Sequence, residues 1–241
     1  MCTVTYIPHK DKIFITSNRD EKHARADAVA PQAYNFSTGK IFFPKDAHAN
    51  GTWIALHENG NAMVLLNGGF IKHEPNYPYR KSRGLIFLEV MNSNWPLDTY
   101  KKIDLDNIEP FTLVIYREGE LYECRWDGNQ KYISAKDITV PHIWSSVTLY
   151  DEETVAKRRN WFDEFILKNK QPSQEDIFHF HHFGGEGDTE NDIRMNRDGF
   201  LYTVSITGIE LDTEKALIKY IDLKNEQSYT NSFTFSPTQA I

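Results

Sequence analysis

Three short stretches carry side chains whose types could do chemistry together. The first is Met1-Cys2-Thr3. If Met1 is removed, the Cys2 thiol shares one carbon skeleton with a free α-amino group. Such an amine titrates at about 7.7–8.0 and a thiol near 8.5. Partly neutral at pH 7, the amine can take the thiol proton as a general base and so activate a nucleophile. The plainer reading is a small buried residue at the start of a strand. The second stretch is SNRDEKHAR, after the strand-like KIFITS. If the first two strands pair, Arg19 would lower the thiol pKa or hold a substrate carboxylate, and Asp20 would accept from the protonated amine. Taken alone, NRDE reads as a solvated charged turn. The third is AMVLLNGGF, where Asn67 precedes Gly68-Gly69. An amide NH₂ there could donate to a developing oxyanion, although Asn before Gly is also ordinary turn chemistry.

These side chains need a scaffold, and the hydrophobic pattern supplies one. TVTYI and KIFITS are β-branched and aromatic runs on either side of PHKD. TWIALHENGNAMVLLN reads as a hairpin turning at Asn59-Gly60, and FTLVIYREGELYECRW as another turning at REGE. SRGLIFLEVMN predicts a helix with Ser82 as N-cap. DEETVAKRRNWFDEFILKN predicts a second, with Val155, Trp161, Phe162, Phe165 and Ile166 as its core stripe. PSQEDIFHFHHFGG predicts a third, with Ser173 and Asp176 as a capping box and Gly184 as the stop. FLYTVSITGIEL, KALIKYIDL and SYTNSFTF return to strands. No repeat or linker divides the chain, so residues 1–241 are expected to form one α+β domain of antiparallel sheets covered by helices.

Composition narrows the partners. The chain has 241 residues, 40% hydrophobic and 25% charged, with a formal net charge of −7. An acidic balance without Lys/Arg-rich runs argues against nucleic acid and anionic membrane. No run approaches the roughly 20 apolar residues of a membrane helix, and no secretory leader is recognisable. Two cysteines, Cys2 and Cys124, are too few for a disulfide framework, so a reducing cytoplasm is the expected location. Cys124 alternates as a strand residue and reads as structural. His179, His181 and His182 crowd beside phenylalanines in FHFHHF without the partners a metal site needs, and read as partly exposed helix residues. Trp53 reads as a core or pocket-wall residue.

The order of Met1-Cys2-Thr3, Asn18-Arg19-Asp20-Glu21, Gly51-Thr52-Trp53-Ile54 with Leu66-Asn67, and Ser82-Arg83-Gly84-Leu85 resembles the NRDE family, also called the transport and Golgi organisation protein 2 family. Weaker similarity continues through WSSVTLYDEETVAKRRNWF and RDGFLYTVSIT. The resemblance implies an N-terminal-nucleophile hydrolase-like fold, a four-layer αββα sandwich of two antiparallel sheets between helical layers. More distantly the chain is similar to the choloylglycine hydrolase and penicillin V acylase group, which cleaves linear amides. That likeness implies Cys2 as nucleophile, Arg19 and Asp20 as its support, and Asn67 in the oxyanion hole. The acylases usually place their Asp a few residues beyond the Arg, whereas Asp20 is adjacent. Ser146 stands where an Asn is common, and Arg194 and Arg197 are the candidates for a late substrate-binding Arg. With Trp53 as a pocket wall, the expected function is an N-terminal Cys amidohydrolase or acyltransferase-like enzyme acting on a small linear amide or acyl compound, with no metal and no cofactor. The alternative implied by the resemblance is a non-catalytic protein that binds or traffics haem or an acyl ligand on the same fold.

Overall fold

Strand-forming runs dominate the chain, several of them buried along nearly their whole length. Hairpin pairing of near neighbours is joined by long-range pairings of Thr3–His9 with His142–Ser145 and of Lys12–Lys22 with Leu201–Leu211. The computed structural model describes residues 3–235. Its first half runs β1 (Thr3–His9), β2 (Lys12–Lys22), β3 (Val29–Phe36), β4 (Gly39–Lys45), β5 (Ile54–His57), β6 (Ala62–Asn67), α1 (Arg83–Met91) and α2 (Pro96–Lys102). It continues with β7 (Phe111–Arg117), β8 (Glu120–Trp126), β9 (Lys131–Lys136), β10 (His142–Ser145), α3 (Glu152–Lys168) and α4 (Gln174–Phe183). The last strands are β11 (Asn196–Arg197), β12 (Leu201–Leu211), β13 (Lys215–Asp222) and β14 (Gln227–Thr234).

Two antiparallel sheets result. One has the order β10-β1-β2-β12-β13-β14, with β11 beside β12, and the other runs β3-β4-β5-β6-β7-β8-β9. Because strand side chains alternate, each sheet presents one apolar set inward and another outward. Val4, Tyr6, Ile15, Ile209 and Ile218 of the first sheet meet Ile54, Leu56, Val64 and Leu66 of the second in a core between the sheets. On the second sheet's far side Met63, Leu65, Leu113 and Cys124 pack against Ile86, Phe87, Val90 and Met91 of α1 and Tyr100 of α2. On the first sheet's far side Ile7 and Phe14 pack against Phe162 of α3 and Ile177 and Phe180 of α4. The layers are therefore helix, sheet, sheet, helix, the expected αββα sandwich. Each fully buried Leu, Ile or Phe contributes roughly 1.5–3 kcal/mol to that stacking.

The predicted helices end where their caps say. Ser82 accepts from the Leu85 N–H, Asp151 from Thr154, and Ser173 with Asp176 closes a reciprocal capping box. Gly184 caps α4 as expected but with φ −65°, so the stop needs no left-handed residue there. The α3 stripe is corrected at one position. Arg158 is completely buried beside Phe162, while Trp161, Phe165 and Ile166 are only partly covered. The NRDE segment lies inside β2 with Asn18, Arg19 and Asp20 buried, which overturns the solvated-turn reading of the tetrapeptide taken alone.

Candidate active site

Placing Asn18-Arg19-Asp20-Glu21 within β2 sends successive side chains to opposite faces. Asn18 and Asp20 face the α3/α4 layer. The Asn18 amide donates to the carbonyls of His181 (3.0 Å) and Ile193 (2.8 Å), and its Oδ1 lies 2.7 Å from His181 Nδ1. Thr5 Oγ1 lies 2.8 Å from His181 Nε2. Both ring nitrogens of His181 are therefore engaged, and burial together with the Arg158 charge pushes its pKa down to about 3. This histidine is a neutral buried clamp, not the partly exposed residue expected from the sequence. Asp20 accepts from Tyr150 Oη at 2.9 Å and from Thr203 Oγ1 at 2.5 Å. Thr203 lies directly opposite Asp20 in the β12–β2 ladder, just before a register shift between Thr203 and Ser205, so the two side chains share a face.

Arg19 and Glu21 point the other way, toward the second sheet. The Arg19 guanidinium is 5% exposed, donates to Asp46 Oδ2 at 2.8 Å and lies 4.5 Å from the Trp53 ring centroid. Arg25 reaches the same Asp46 oxygen at 3.0 Å. Burial opposes ionisation of Asp46, yet the Ala49 N–H, Arg25 and Arg19 outweigh it and hold the carboxyl below its usual range. Arg19, Asp46, Trp53 and Asn67 line one cavity of about 420 Å³, whose rim includes Arg83 and Glu109, 3.1 Å apart. The GTW and SRG motifs meet here backbone to backbone. A Cβ on Gly51 would lie 2.5 Å from the Gly84 carbonyl carbon, so a side chain at Gly51 would push α1 off the sheet.

Asn67 ends β6, half-buried, and its side-chain amide has no hydrogen-bond partner among the described residues. Its carbonyl accepts from Ser146 Oγ at 2.9 Å. The chain turns at Gly68 with φ +84°, where a Cβ would meet Val147 Cγ2 at 2.5 Å. Ser146 is 1% exposed and also bonds Thr148 Oγ1, so its hydroxyl holds the Asn67 turn and does not line the cavity. Beyond that turn, Phe70, Ile71, Leu149, Val155 and Arg197 line a larger groove of about 860 Å³. Arg197 donates to the Leu149 carbonyl at 3.1 Å, whereas Arg194 sits exposed beside His182 at 2.6 Å and lines neither cavity.

Thr3, the first described residue, pairs with Asn18 on one side and Ser145 on the other. The described start of β1 therefore lies beside Asn18 and Ser145 in the sheet, one residue along the chain from Arg19 and Ser146. Cys2, the expected nucleophile, lies outside the described residues. The structure brings Arg19, Asn67 and Trp53 to one cavity, places Asp20 behind the strand, and leaves Arg194 apart. Sequence reasoning missed Asp46, Tyr150, Thr203 and Arg158. Position 158 has the spacing of the α3 stripe with Thr154 and Phe162, the one signal that could have exposed its burial. Cys124 carries a free thiol among apolar neighbours, and burial pushes its pKa up to about 12. No cluster of three or more metal-ligating side chains occurs among the described residues.

The family model described as Transport and Golgi organisation 2 matches residues 1–227. The chain belongs to that family. No curated protein sequence matches it significantly. Among solved structures, the Caenorhabditis elegans ortholog of N-acylethanolamine-hydrolyzing acid amidase is similar with a TM-score of 0.60 and 10% identity, over 86% of this chain and 92% of that one. Two variants of the conjugated bile acid hydrolase from Clostridium perfringens have TM-scores of 0.58 and 0.57 at 12% and 11% identity. These two matches span 100% of this chain and 99% and 98% of theirs. Likeness at such low identity establishes the N-terminal-nucleophile hydrolase-like fold, not the chemistry. No helix among the described residues is long and apolar enough to cross a membrane.

Proposed function

We propose that this member of the transport and Golgi organisation 2 family is an amidohydrolase or acyltransferase-like enzyme that uses Cys2 as an N-terminal nucleophile. The observation that carries the reading is the shared cavity. A buried Arg19, fixed by Asp46, and the Asn67 amide, which has no hydrogen-bond partner among the described residues, line the same space close to where β1 begins. The solved structures named above are described as an ortholog of an acid amidase and as a conjugated bile acid hydrolase, which supports hydrolytic chemistry here.

With Met1 removed, the Cys2 amine takes the thiol proton and the thiolate attacks the carbonyl carbon. The carbonyl oxygen becomes an oxyanion, which the Asn67 amide and backbone N–H groups would stabilise. The C–N bond then breaks, the departing amine leaves with the proton, and water hydrolyses the thioester, or an acceptor takes the acyl group. Arg19 supplies positive charge beside the nucleophile or to the substrate. Its fixed ion pair with Asp46 orients it without solvent rearrangement. Asp20, bonded to Tyr150 and Thr203, is a rigid acceptor on the same strand. Arg197 and Trp53 serve as substrate-binding walls, while Ser146 acts through Asn67 and not on the substrate. No step calls for a metal.

The test is turnover of a panel of N-acyl amines of graded chain length by protein with a free Cys2 amine. Hydrolysis should vanish in Cys2→Ala, and equal hydrolysis by Cys2→Ala contradicts the reading. A binding role for an acyl ligand or haem is the second reading, favoured by the groove of about 860 Å³ with its exposed Phe70 and Ile71. It predicts an absorbance titration with haem, or fatty acid displacement of a fluorescent probe, that survives Cys2→Ala.

A further inference from the structure

Arg158 occupies the middle of α3 with no exposed surface, a position where an aliphatic side chain would complete the apolar stripe. Burying a guanidinium is costly unless its donors are satisfied. Here they end on three neutral oxygens from two distant parts of the chain. Nη1 donates to Thr3 Oγ1 at 2.5 Å, Nε to the Asn191 carbonyl at 3.0 Å and Nη2 to the Asp192 carbonyl at 2.5 Å. The guanidinium carbon lies 3.6 Å from the Tyr150 ring centroid, and that tyrosine donates to Asp20. One buried cation thus ties together the first described residue of β1, helix α3, the loop after α4 and, through Tyr150, the carboxylate on β2.

A strand that starts at a chain end ordinarily frays. Thr3 is held on three sides instead: its backbone pairs with Asn18 and Ser145, and its hydroxyl accepts from Arg158. The planar fork of an arginine can serve three oxygens in fixed directions, which a lysine ammonium cannot reproduce. We propose that Arg158 is a positioning residue for chemistry at the N-terminus. It fixes Thr3, the residue bonded to Cys2 in sequence, against the α3 layer. The proposal rests on the Cys2 reading above for its chemical consequence. Displacement of a nucleophile by about 1 Å is enough to slow a positioned reaction by roughly a hundredfold.

The test compares Thr3→Val, which keeps shape and removes the acceptor, with Thr3→Ser, which keeps the acceptor and loses a methyl. Arg158→Met and the core variant Phe162→Leu complete the set. Three readouts are taken on full-length protein whose N-terminus has been checked by intact mass. They are acylation of Cys2 by p-nitrophenyl butyrate, alkylation of Cys2 by iodoacetamide, and amide hydrogen exchange at Thr3–Thr5. Acylation depends on oxyanion geometry, whereas alkylation needs only an accessible thiolate.

The expected result is acylation slowed about tenfold or more relative to alkylation in Thr3→Val and Arg158→Met. Thr3→Ser should stay near wild type, and exchange at Thr3–Thr5 should accelerate only in the first two variants. Equal behaviour of Thr3→Val and Thr3→Ser would overturn the proposal. So would an equal loss in Phe162→Leu at matched thermal destabilisation. If Arg158→Met does not fold, the Thr3 pair decides alone. If wild-type Cys2 is not acylated, the amidohydrolase reading falls, and unchanged exchange in Thr3→Val then overturns the Arg158 assignment separately.

Discussion

The two faces of β2 between Asn18 and Glu21 are built from the same four consecutive residues and do opposite work. On the helix side, Asn18 and Asp20 meet His181, Tyr150 and Thr203 in a network of short hydrogen bonds. On the sheet side, Arg19 and Glu21 meet Asp46, Arg25 and Trp53 around a cavity that reaches Asn67. The first face engages its polar groups with the helix layer and β12; the second turns charge toward a cavity that the Asn67 amide also lines. The difference shows how a short polar motif inside a strand can serve both structure and chemistry. The alternation of a β-strand divides it between them.

Perturbing each face separately should keep the two roles apart. The largest effect is expected from Asn67→Ala. Loss of one oxyanion donor should slow acyl transfer by about 10²–10³-fold, equivalent to 2.7–4 kcal/mol of barrier, with little change in thermal midpoint. Next comes Asp46→Asn, which removes the carboxylate shared by Arg19 and Arg25. Breaking that pair should cost about 3 kcal/mol of stability in chemical denaturation, at the low end for a buried pair because Arg25 stays partly exposed. The sign in pH follows from the depressed Asp46 pKa: its stabilisation is present above about 4, the ordinary Asp value, and is lost as pH falls through the lower folded value.

His181, on the helix side, should govern the response to acid. His181 is held neutral with a folded pKa of about 3, so the unfolded chain binds its proton first. Stability is therefore complete above about 6.5, the ordinary His value, and declines toward pH 3, by on the order of 1 kcal/mol per pH unit. Urea titrations between pH 7 and 5 should show this slope in the wild type and a flatter one in His181→Gln. The smallest effect is expected at Ser173→Ala. Loss of that N-cap, on neither face of β2, should cost about 1 kcal/mol and leave acyl transfer unchanged. A rate loss there comparable to that of Asn67→Ala would erase the contrast between the faces.

Much of the scaffold was readable from pattern. The hairpins at Asn59-Gly60 and Glu118-Gly119, the three capped helices and the late strands fall where periodicity and turn chemistry put them. Strands β3 and β9 escaped because they are sheet edges in which Pro31 alone is buried, so little apolar alternation marks an inward face. Helix α2 escaped because seven residues after Trp95 give too short a periodic window. In the site, Arg19 and Asn67 were legible from residue type and motif order. The burial of Arg158 and His181 was not, since a charged or titratable residue on a helix reads as solvated until its long-range partners are known. Those partners, Thr3 and Asn18, are 155 and 163 residues away in sequence. Asp46 was hidden for the same reason, being an Asx-turn residue by local pattern and an arginine partner only in the fold.

The central claim is that Cys2, freed of Met1, is the acylated nucleophile. It is tested most directly by incubating the native protein with an acyl β-lactone probe, then mapping the adduct by intact-mass and peptide mass spectrometry. The account predicts a chain lacking Met1 that gains one acyl group, located on Cys2. A chain that retains Met1, or one whose Cys2 stays unmodified while the probe is consumed or bound elsewhere, would contradict it.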